Sequence, residues 1–298
     1  MREQMDAVGI IGVGVMGMTA GRKLIESGRR VVVFDSASTA ADKARQAGAQ
    51  VAASPAEVAA LCPVILMFLP GPAQIGECVS GPTGLLQTAC RGQIIVDMST
   101  VDPGTTQRMG VLAREKGVGY VDAPVLGRPA KVGKWALPVG GQLEDLERCR
   151  PILEVLAAKV IHIGESGAGN KIKLLNQMMF SAINAMTAEM MAVAEKVGVP
   201  PKLLYETITS SQAATVSNLF VELGKNIAAD SYDQPTFSVD LLCKDVRLAI
   251  EMATAHGAPP PLAGTIQFLN ETAQAQGFGA QDTSVMWKAL SAFWKQSA

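Results

Sequence analysis

The sequence predicts an α/β N-terminal domain with a doubly wound, mostly parallel sheet, joined by a long helix to an all-α C-terminal domain. Its 298 residues exceed the usual single-domain length of about 100 to 200 residues, so two domains are expected. Short apolar segments alternate with helical patterns as far as about residue 165, and only helical patterns follow. Because such alternation is typical of βαβ units, we place the domains at residues 1–165 and 166–298.

The first domain contains six predicted strands. Each is a short, largely apolar segment that lacks strict polar alternation, and most are rich in Val and Ile. They are Val8 to Val13, Val31 to Phe34, Val64 to Leu69, Ile94 to Asp97, Gly119 to Asp122 and Lys159 to Ile163. Continuous apolar character predicts strands that are buried on both faces, as in a parallel sheet covered by helices.

The second domain begins with a long apolar segment, Ile172 to Val197, that is rich in methionine. A helix that is hydrophobic nearly all round suits a domain core or a subunit interface, so we assign its methionines to packing. Later helices are predicted at Pro201 to Ser210, Thr215 to Ile227, Leu241 to His256, Ala263 to Gln276 and Ser284 to Lys295. The first helix offers more apolar surface than one small domain needs to bury, which favours a homodimer or a homotetramer.

The composition favours a small-molecule partner in the cytoplasm. With 26 basic and 27 acidic residues, the net charge of −1 gives no electrostatic footprint for nucleic acid or an anionic membrane. The five cysteines are scattered without metal-ligand spacing, so we expect reduced thiols and no metal site. The sequence contains no uninterrupted run of about 18 apolar residues, so no membrane span is predicted.

A glycine-rich turn, Gly12-Val13-Gly14-Val15-Met16-Gly17, lies between a predicted strand and a predicted helix. The GxGxxG spacing allows a tight turn, a close approach of the backbone to a pyrophosphate, and close packing of helix on strand. The anion would lie at the positive N-terminus of that helix. Glycine-rich turns occur in many folds, but this position between strand and helix favours a dinucleotide-binding Rossmann domain.

Asp35 supports this interpretation. It ends the second predicted strand about twenty residues after the turn, where an acidic side chain accepts hydrogen bonds from the adenosine ribose hydroxyls. Its charge would repel a 2′-phosphate, and no arginine occurs at residues 36–39, so NAD is expected in preference to NADP. The alternative is an aspartate that only stabilises a turn or caps a helix.

Lys173 is the candidate acid/base. Hydride transfer from an alcohol requires a base that removes the hydroxyl proton and has a pKa near the working pH. A lysine reaches that state when partial burial or a neighbouring cation lowers its pKa. The two histidines are expected to be structural, since His162 lies in a strand pattern and His256 at a helix end. The alternative, an ordinary exposed helix lysine, is the interpretation we favour for Lys171.

Five motifs, in order along nearly the whole chain, resemble those of the β-hydroxyacid dehydrogenases, the family that contains 3-hydroxyisobutyrate dehydrogenase. After the glycine-rich turn come a DxSTxxP segment from Asp97 to Pro103, the start of a DAPVSGG loop at Asp122 to Val125, a GxGxxxK motif from Gly167 to Lys173, and the pair Lys244-Asp245. The resemblance implies NAD(P)-dependent interconversion of a small β-hydroxy acid and its oxo acid or semialdehyde. It also implies a Rossmann domain followed by a helical domain.

The same resemblance implies roles for individual residues. Dinucleotide contacts are expected at Leu69, Pro70, Thr100 and Lys244, the last of these beside the nicotinamide. Lys173 is expected to be the catalytic acid/base, and Ser99 is expected to contact the substrate.

The chain departs from the family pattern at two substrate positions. Where the family loop has Ser-Gly-Gly, this chain has Leu126-Gly127-Arg128. Leu126 has no hydroxyl, whereas the guanidinium of Arg128 suits a carboxylate or another oxyanion. Gly127 and Arg128 are therefore expected to anchor the acid, unless Arg128 points to solvent. Gln177, one turn after Lys173, replaces an asparagine common in the family and is expected to contact the reacting oxygen.

Two other functions stay open at this point. Imine reductases share the implied architecture but usually replace the lysine, so the retained Lys173 argues against imine reduction. A non-catalytic dinucleotide-sensing module on the same scaffold is disfavoured by the intact lysine, although the altered substrate loop keeps it open.

Overall fold

The computed structural model of this protein describes residues 7–211 and 217–295. The chain divides into two compact units, Met1–Lys173 and Leu174–Ala298. This division falls inside a long helix, eight residues after the boundary predicted at residue 165. The difference arises because the first turn of that helix is hydrogen-bonded to the first unit through Asp122.

The first unit is built on one eight-stranded sheet. Its strands are β1 (Ala7–Ile11), β2 (Arg30–Phe34), β3 (Gln50–Val51), β4 (Val64–Met67), β5 (Ile94–Asp97), β6 (Gly119–Asp122), β7 (Trp135–Gly140) and β8 (Ala157–Gly164). Their order is β3-β2-β1-β4-β5-β6-β7-β8. Neighbouring strands are parallel except for β6 and β7. This doubly wound, mostly parallel sheet confirms the predicted fold class.

Helices separate the strands of this unit. They are α1 (Val15–Glu26), α2 (Ser38–Gln46), α3 (Pro55–Leu61), α4 (Pro72–Ser80), α5 (Pro103–Glu115) and α6 (Leu143–Leu156). The helices α3, α4 and α5 begin with proline, which suits a position whose N–H has no partner inside the helix. Consecutive residues of β1 contribute to different apolar cores, Ile10 to one and Ile11 to the other, as expected when helices cover both faces of a sheet.

Three strands differ from the sequence prediction. No strand was predicted at β3, which has two residues, or at β7, which contains Pro138 and therefore lacks one backbone donor. The prediction that all strands are buried on both faces is wrong for β8. Its Ile161 and Ile163 are 46% and 40% exposed, because β8 is the last strand in the sheet order.

The second unit is helical, as predicted. The long helix α7 (Ala168–Lys196) begins in the first unit and continues into the second, and α8 (Pro201–Ser210), α9 (Asn218–Ala228), α10 (Val239–Ala255), α11 (Pro261–Ala273) and α12 (Met286–Lys295) follow. The hydroxyls of Ser217 and Ser238 cap α9 and α10. Thr215, the predicted start of α9, lies outside the described residues.

The five methionines of α7 differ in burial, and Met178 and Met190 are half-buried against apolar clusters of the second unit. Met191 is buried with Phe220 and Ile227 in the core of the second unit. Met179 and Met186 are 64% and 58% exposed. The prediction that these methionines serve packing therefore holds within the unit for Met178, Met190 and Met191, whereas Met179 and Met186 present apolar surface to the outside. Across the described ranges, no helix meets the length and hydropathy needed for a membrane span.

Candidate active site

The glycine-rich turn connects β1 to α1. Gly12 has a φ of +84°, and a Cβ there would lie 2.3 Å from the carbonyl oxygen of Phe68. A Cβ on Gly17 would lie 1.9 Å from the carbonyl oxygen of Gly12. At Gly14, by contrast, no atom of the described residues lies within 4 Å of the Cβ position. Gly12 and Gly17 thus allow the tight packing of the turn, and Gly14 leaves the space that a pyrophosphate needs.

The N-terminus of α1 faces the same turn. Its N-cap, Gly14, has no side chain to accept hydrogen bonds from the first-turn amides, and that turn contains no acidic residue. The positive end of the helix is therefore suited to an anion. Val13 is buried, Met16 packs against the apolar core, and Val15 is exposed.

Asp35 lies one residue after β2 and is hydrogen-bonded to the turn. Its Oδ2 accepts a hydrogen bond from the backbone N–H of Val13 at 2.8 Å, and its Oδ1 accepts one from the N–H of Ala37 at 2.8 Å. A carboxylate has about four acceptor positions, so two bonds leave capacity for ribose hydroxyls. Asp35 thus stabilises its own turn, as in the alternative that gives it only a structural role. It also holds the glycine-rich turn in place.

A buried network joins the ends of β4, β5 and β6. The hydroxyl of Ser99 accepts a hydrogen bond from the backbone N–H of Leu69 at 2.9 Å. The N–H of Ser99 donates to Oδ1 of Asp97 at 3.0 Å, and the hydroxyl of Tyr120 donates to Oδ2 at 2.9 Å. Burial raises the pKa of Asp97 to about 6, although these hydrogen bonds oppose the change. The network fixes the segment after β4 to the segment after β5.

Pro70 and Thr100, which are also predicted to contact the dinucleotide, flank the network of Asp97, Ser99 and Tyr120. Pro70 is exposed and Thr100 is half-buried. Ser99, predicted as a substrate contact, is buried, and its hydroxyl is engaged by the Leu69 amide. The geometry therefore gives Ser99 a supporting position beneath the segment that contains Leu69 and Pro70.

Lys173 lies in the second turn of α7, where its Nζ donates a hydrogen bond to the carbonyl oxygen of Val125 at 2.9 Å. The side chain is half-buried, whereas Lys171 is exposed. Val125 immediately precedes Leu126, so the ammonium group lies beside the start of the predicted substrate loop. This differs from an ordinary exposed helix lysine, because the nitrogen has a defined position and a main-chain partner.

A buried carboxylate holds the beginning of α7. Oδ1 of Asp122 accepts a hydrogen bond from the N–H of Gly167, and Oδ2 accepts one from the N–H of Asn170, each at 2.8 Å. Burial raises the pKa of Asp122, and hydrogen bonds from backbone amides oppose that rise. The Asn170 side chain accepts from the N–H of Val101 and donates to Thr106 Oγ1, both at 3.2 Å. The first turn of α7 is thus attached to the ends of two strands.

The segment Leu126-Gly127-Arg128 is attached to β7. The N–H and carbonyl of Leu126 pair with the backbone of Ala136 at 2.9 and 3.1 Å. Trp135 Nε1 donates to the carbonyl oxygen of Arg128 at 2.8 Å. A Cβ on Gly127 would lie 2.5 Å from Cδ1 of the Trp135 ring, so only glycine allows this approach. The backbone of the loop is therefore fixed, and Arg128 is half-buried at its end.

Two more predicted residues, Gln177 and Lys244, meet within the second unit through Asp245. Nε2 of Gln177 donates to Oδ2 of Asp245 at 2.7 Å, and Nζ of Lys244 lies 2.8 Å from Oδ1. Asn176 donates to Oε1 of Gln177 at 3.2 Å. Because a carboxylate accepts only, the nitrogen of the Gln177 amide must face Asp245. Asp245 thus orients both predicted residues.

The residues that sequence reasoning left without a role are mostly buried partners of the predicted ones. They are Asp97, Asp122, Trp135, Asn170 and Asp245. A charged residue at the last position of an apolar strand is an unusual signal, and it marks Asp97 and Asp122. No comparable signal marks Trp135 as the partner of the predicted substrate loop.

The histidines occupy structural positions. His162 Nε2 lies 2.8 Å from the carbonyl oxygen of Gly141, and His256 Nδ1 lies 2.8 Å from that of Met252. Among residues 7–211 and 217–295, no three His, Cys, Asp or Glu side chains are grouped as a metal site requires.

Comparison with known proteins adds two family matches that together cover most of the chain. Residues 7–164 match the NAD binding domain of 6-phosphogluconate dehydrogenase, and residues 167–290 match the NAD-binding domain of NADP-dependent 3-hydroxyisobutyrate dehydrogenase. The 2-(hydroxymethyl)glutarate dehydrogenase of Eubacterium barkeri is 32% identical over 99% of this chain and 96% of its own length. The 3-sulfolactaldehyde reductase of Escherichia coli (strain K12) is 30% identical, over 96% of this chain and 95% of its own.

Solved structures agree with these matches. A 3-hydroxyisobutyrate dehydrogenase from Salmonella typhimurium superposes with a TM-score of 0.88 at 28% identity, over 95% of this chain and 99% of that one. An imine reductase from Pseudomonas sp. has a TM-score of 0.62 at 22% identity, over 96% of this chain and 99% of that one. The likeness to the imine reductase concerns the fold alone.

Proposed function

Because the chain belongs to the β-hydroxyacid dehydrogenase family, we propose that it interconverts a small β-hydroxy acid and its oxo acid or semialdehyde, with Lys173 as the acid/base. The observation that carries this proposal is the defined position of the Lys173 ammonium, 2.9 Å from the Val125 carbonyl oxygen, in the unit that also contains the glycine-rich turn. Family membership makes the protein an NAD(P)-dependent oxidoreductase; the substrate and the role of the lysine are our proposal.

The open space at Gly14 and the uncapped N-terminus of α1 fit a dinucleotide pyrophosphate. When bound, the nicotinamide accepts or donates the hydride. Lys173 then has one task, which is to take the hydroxyl proton during oxidation or return it to the oxygen during reduction. Its bond to the Val125 carbonyl oxygen holds the nitrogen in a defined position beside the segment that begins at Leu126.

NAD rather than NADP is our proposal for the cofactor. Asp35 places a carboxylate at the end of β2 beside the turn, and residues 36–39 contain no arginine to neutralise a 2′-phosphate. Related proteins differ in cofactor, since the L-serine dehydrogenase of Pseudomonas aeruginosa is NAD-dependent, whereas residues 167–290 match an NADP-dependent 3-hydroxyisobutyrate dehydrogenase. The ratio of kcat/KM for the two cofactors tests the assignment, and a preference for NADP would contradict it.

We further propose that Gly127 and Arg128 anchor an acid group of the substrate. Trp135 holds the backbone of the loop through a hydrogen bond to the Arg128 carbonyl oxygen, so the Arg128 side chain projects from a fixed backbone position. Two relatives are named for a glutarate and a sulfolactaldehyde, each of which carries an anionic group that an arginine fork suits. Arg128→Ala is expected to raise KM for the acid, and an unchanged KM and kcat would refute the anchoring role.

Self-association is also proposed, as a homodimer or a homotetramer. The support is the exposed apolar surface of α7, which includes Met179 and Met186. A single helix with this much exposed apolar surface is typical of an interface between subunits. The five free cysteines and the near-neutral charge favour a cytoplasmic enzyme.

The experiment is NADH production by the purified protein with a panel of 3-hydroxy acids. The panel contains 3-hydroxyisobutyrate, glycerate, serine, threonate and 2-(hydroxymethyl)glutarate. Lys173→Ala is expected to lose turnover, whereas Lys171→Ala, an exposed lysine two residues away, keeps it. Equal activity of the two variants would refute the role of Lys173, and no turnover with any acid would refute the substrate class.

A further inference from the structure

The strands β5 and β6 end in two adjacent buried carboxylates. Asp97 and Asp122 are register partners on these parallel strands, and each has 0% exposure. Burying two ionisable groups side by side costs free energy unless hydrogen bonds compensate for the lost water. Each carboxylate accepts such bonds, and each bonds a different part of the site.

We propose that Asp97 and Asp122 are positioning residues with separate tasks. Asp97 sets the backbone that receives the cofactor, and Asp122 sets the helix that presents Lys173. The inference rests on the proposed function, because it assumes that Leu69 contacts the dinucleotide and that Lys173 moves the proton.

Asp97 acts through Ser99. Its Oδ1 accepts the Ser99 N–H at 3.0 Å, and the Ser99 hydroxyl in turn accepts the Leu69 N–H at 2.9 Å. The Tyr120 hydroxyl, bonded to Oδ2 at 2.9 Å, fixes the orientation of the carboxylate. A displacement of Asp97 therefore moves the segments after β4 and β5 together.

Asp122 acts through the first turn of α7. Its two oxygens accept hydrogen bonds from the N–H groups of Gly167 and Asn170. Val125 lies three residues after Asp122 in the chain, and its carbonyl oxygen accepts the hydrogen bond from Nζ of Lys173. Two attachments, one turn apart, fix both the rotation and the axial position of the helix start. The packing is tight, since a Cβ on Gly169 would lie 2.4 Å from the carbonyl oxygen of Pro138.

The surroundings of Asp97 make its task sensitive to pH. The ionisable groups that influence it are Tyr120 and Asp122, both on β6, and its pKa is raised to about 6, chiefly by burial. Protonation weakens a carboxylate as an acceptor, so the bond to the Ser99 amide weakens as the pH falls through that value. Cofactor affinity is therefore expected to fall below about pH 6, and Asp97→Asn is expected to lose this dependence.

The test compares Asp97→Asn and Asp122→Asn with Asp145→Asn as the matched control. Asp145 packs against Gly119, at the other end of β6 from Asp122. The dissociation constant of NADH is measured by fluorescence titration. The reactivity of Lys173 is measured as its rate of reductive methylation against pH, read by mass spectrometry, together with kcat and KM for NAD.

Asp97→Asn is expected to raise the NADH Kd about fivefold at pH 8, since a neutral acceptor bonds the Ser99 amide by about 1 kcal/mol less. Its Lys173 methylation profile and its kcat are expected to stay unchanged. Asp122→Asn is expected to shift that profile and to lower kcat about tenfold to a hundredfold, with an unchanged NADH Kd. Asp145→Asn is expected to change none of these.

The proposal is overturned if both variants change the NADH Kd and the Lys173 profile in the same proportion, or if both leave them unchanged. Should either variant fail to fold by circular dichroism, Tyr120→Phe and Asp122→Glu perturb the same two networks and must give the same separation. NADH binding and methylation need no substrate. A wild-type protein that binds NADH but oxidises no β-hydroxy acid would therefore refute the proposed function while these two measurements still decide the inference.

Discussion

Replacing Asp97 by asparagine is expected to remove a pH dependence from the stability of the protein. Burial raises the pKa of this carboxyl from its ordinary value of 3.8 to about 6. Between these values the folded protein keeps the proton, whereas the unfolded chain has released it. Because the folded state binds more protons, the free energy of unfolding falls as the pH rises through this window.

The size of the effect follows from the two pKa values. A change from 3.8 to about 6 corresponds to about 3 kcal/mol of stability, most of it lost between pH 4 and pH 7. Asparagine does not ionise, and its amide oxygen can still accept the Ser99 N–H. Relative to the wild type, the free energy of unfolding of the variant is therefore expected to rise by about 2 to 3 kcal/mol as the pH goes from 4 to 8, on top of a pH-independent loss of about 1 kcal/mol from the weaker bond to Ser99.

Urea unfolding at a series of pH values, followed by circular dichroism and tryptophan fluorescence, measures this difference. Asp42→Asn is the control, because Asp42 is an exposed carboxylate on α2. The control is expected to follow the wild-type curve in shape. Parallel curves for Asp97→Asn and the wild type would mean that the carboxyl titrates alike in the folded and unfolded chains, and would refute the reasoning.

Three further predictions concern the cofactor turn, the second unit and the α7 surface. Gly14→Ala is expected to weaken NADH binding with little change in melting temperature. Gly17→Ala is expected to destabilise the fold by about 3 kcal/mol or more, because its Cβ would meet the Gly12 carbonyl oxygen. Equal melting temperatures of the two variants would contradict this difference. Gln177→Asn is expected to lower the free energy of unfolding by about 1 to 3 kcal/mol, because the shorter side chain no longer reaches the buried Asp245 carboxylate. Urea titration measures this, and an unchanged free energy of unfolding would mean that the hydrogen bond contributes nothing. Met186→Glu is expected to yield monomers in size-exclusion chromatography, and an unchanged elution volume would exclude this face from a subunit interface.

The fold was largely predictable because periodicity and turn residues decide most of it. Apolar runs rich in Val and Ile predicted the buried strands β1, β4 and β5, and the glycine-rich turn predicted the start of α1. The strand β7 could not be predicted, because Pro138 argues against a strand by local rules and the pairing of β7 with β8 depends on the tertiary structure. The exposure of β8 depends on its place in the sheet order, which no local pattern records.

The sequence was enough to name candidate site residues, but not the contacts that hold them in place. Asp35 stands out as an acidic residue at the end of a predicted strand, and Lys173 as a helical lysine within a motif of the family that the sequence resembles. Their supporting contacts join residues far apart in the chain: 30 residues separate Leu69 from Ser99, and 68 separate Gln177 from Asp245. Such pairings follow from the sheet order and the helix packing, so they emerge only when the tertiary structure is known.

The exposed strand β8 also bears on solubility. An edge strand of eight residues offers a row of backbone groups on which another chain could extend the sheet. Here the pairing with β7 is interrupted by register shifts at two places, and the exposed positions include Lys159 and His162 as well as Ile161 and Ile163. Irregular pairing twists an edge, and a charged side chain resists being covered. Lys159 therefore opposes the pairing of β8 with a strand of another chain, which contributes to solubility and is independent of catalysis.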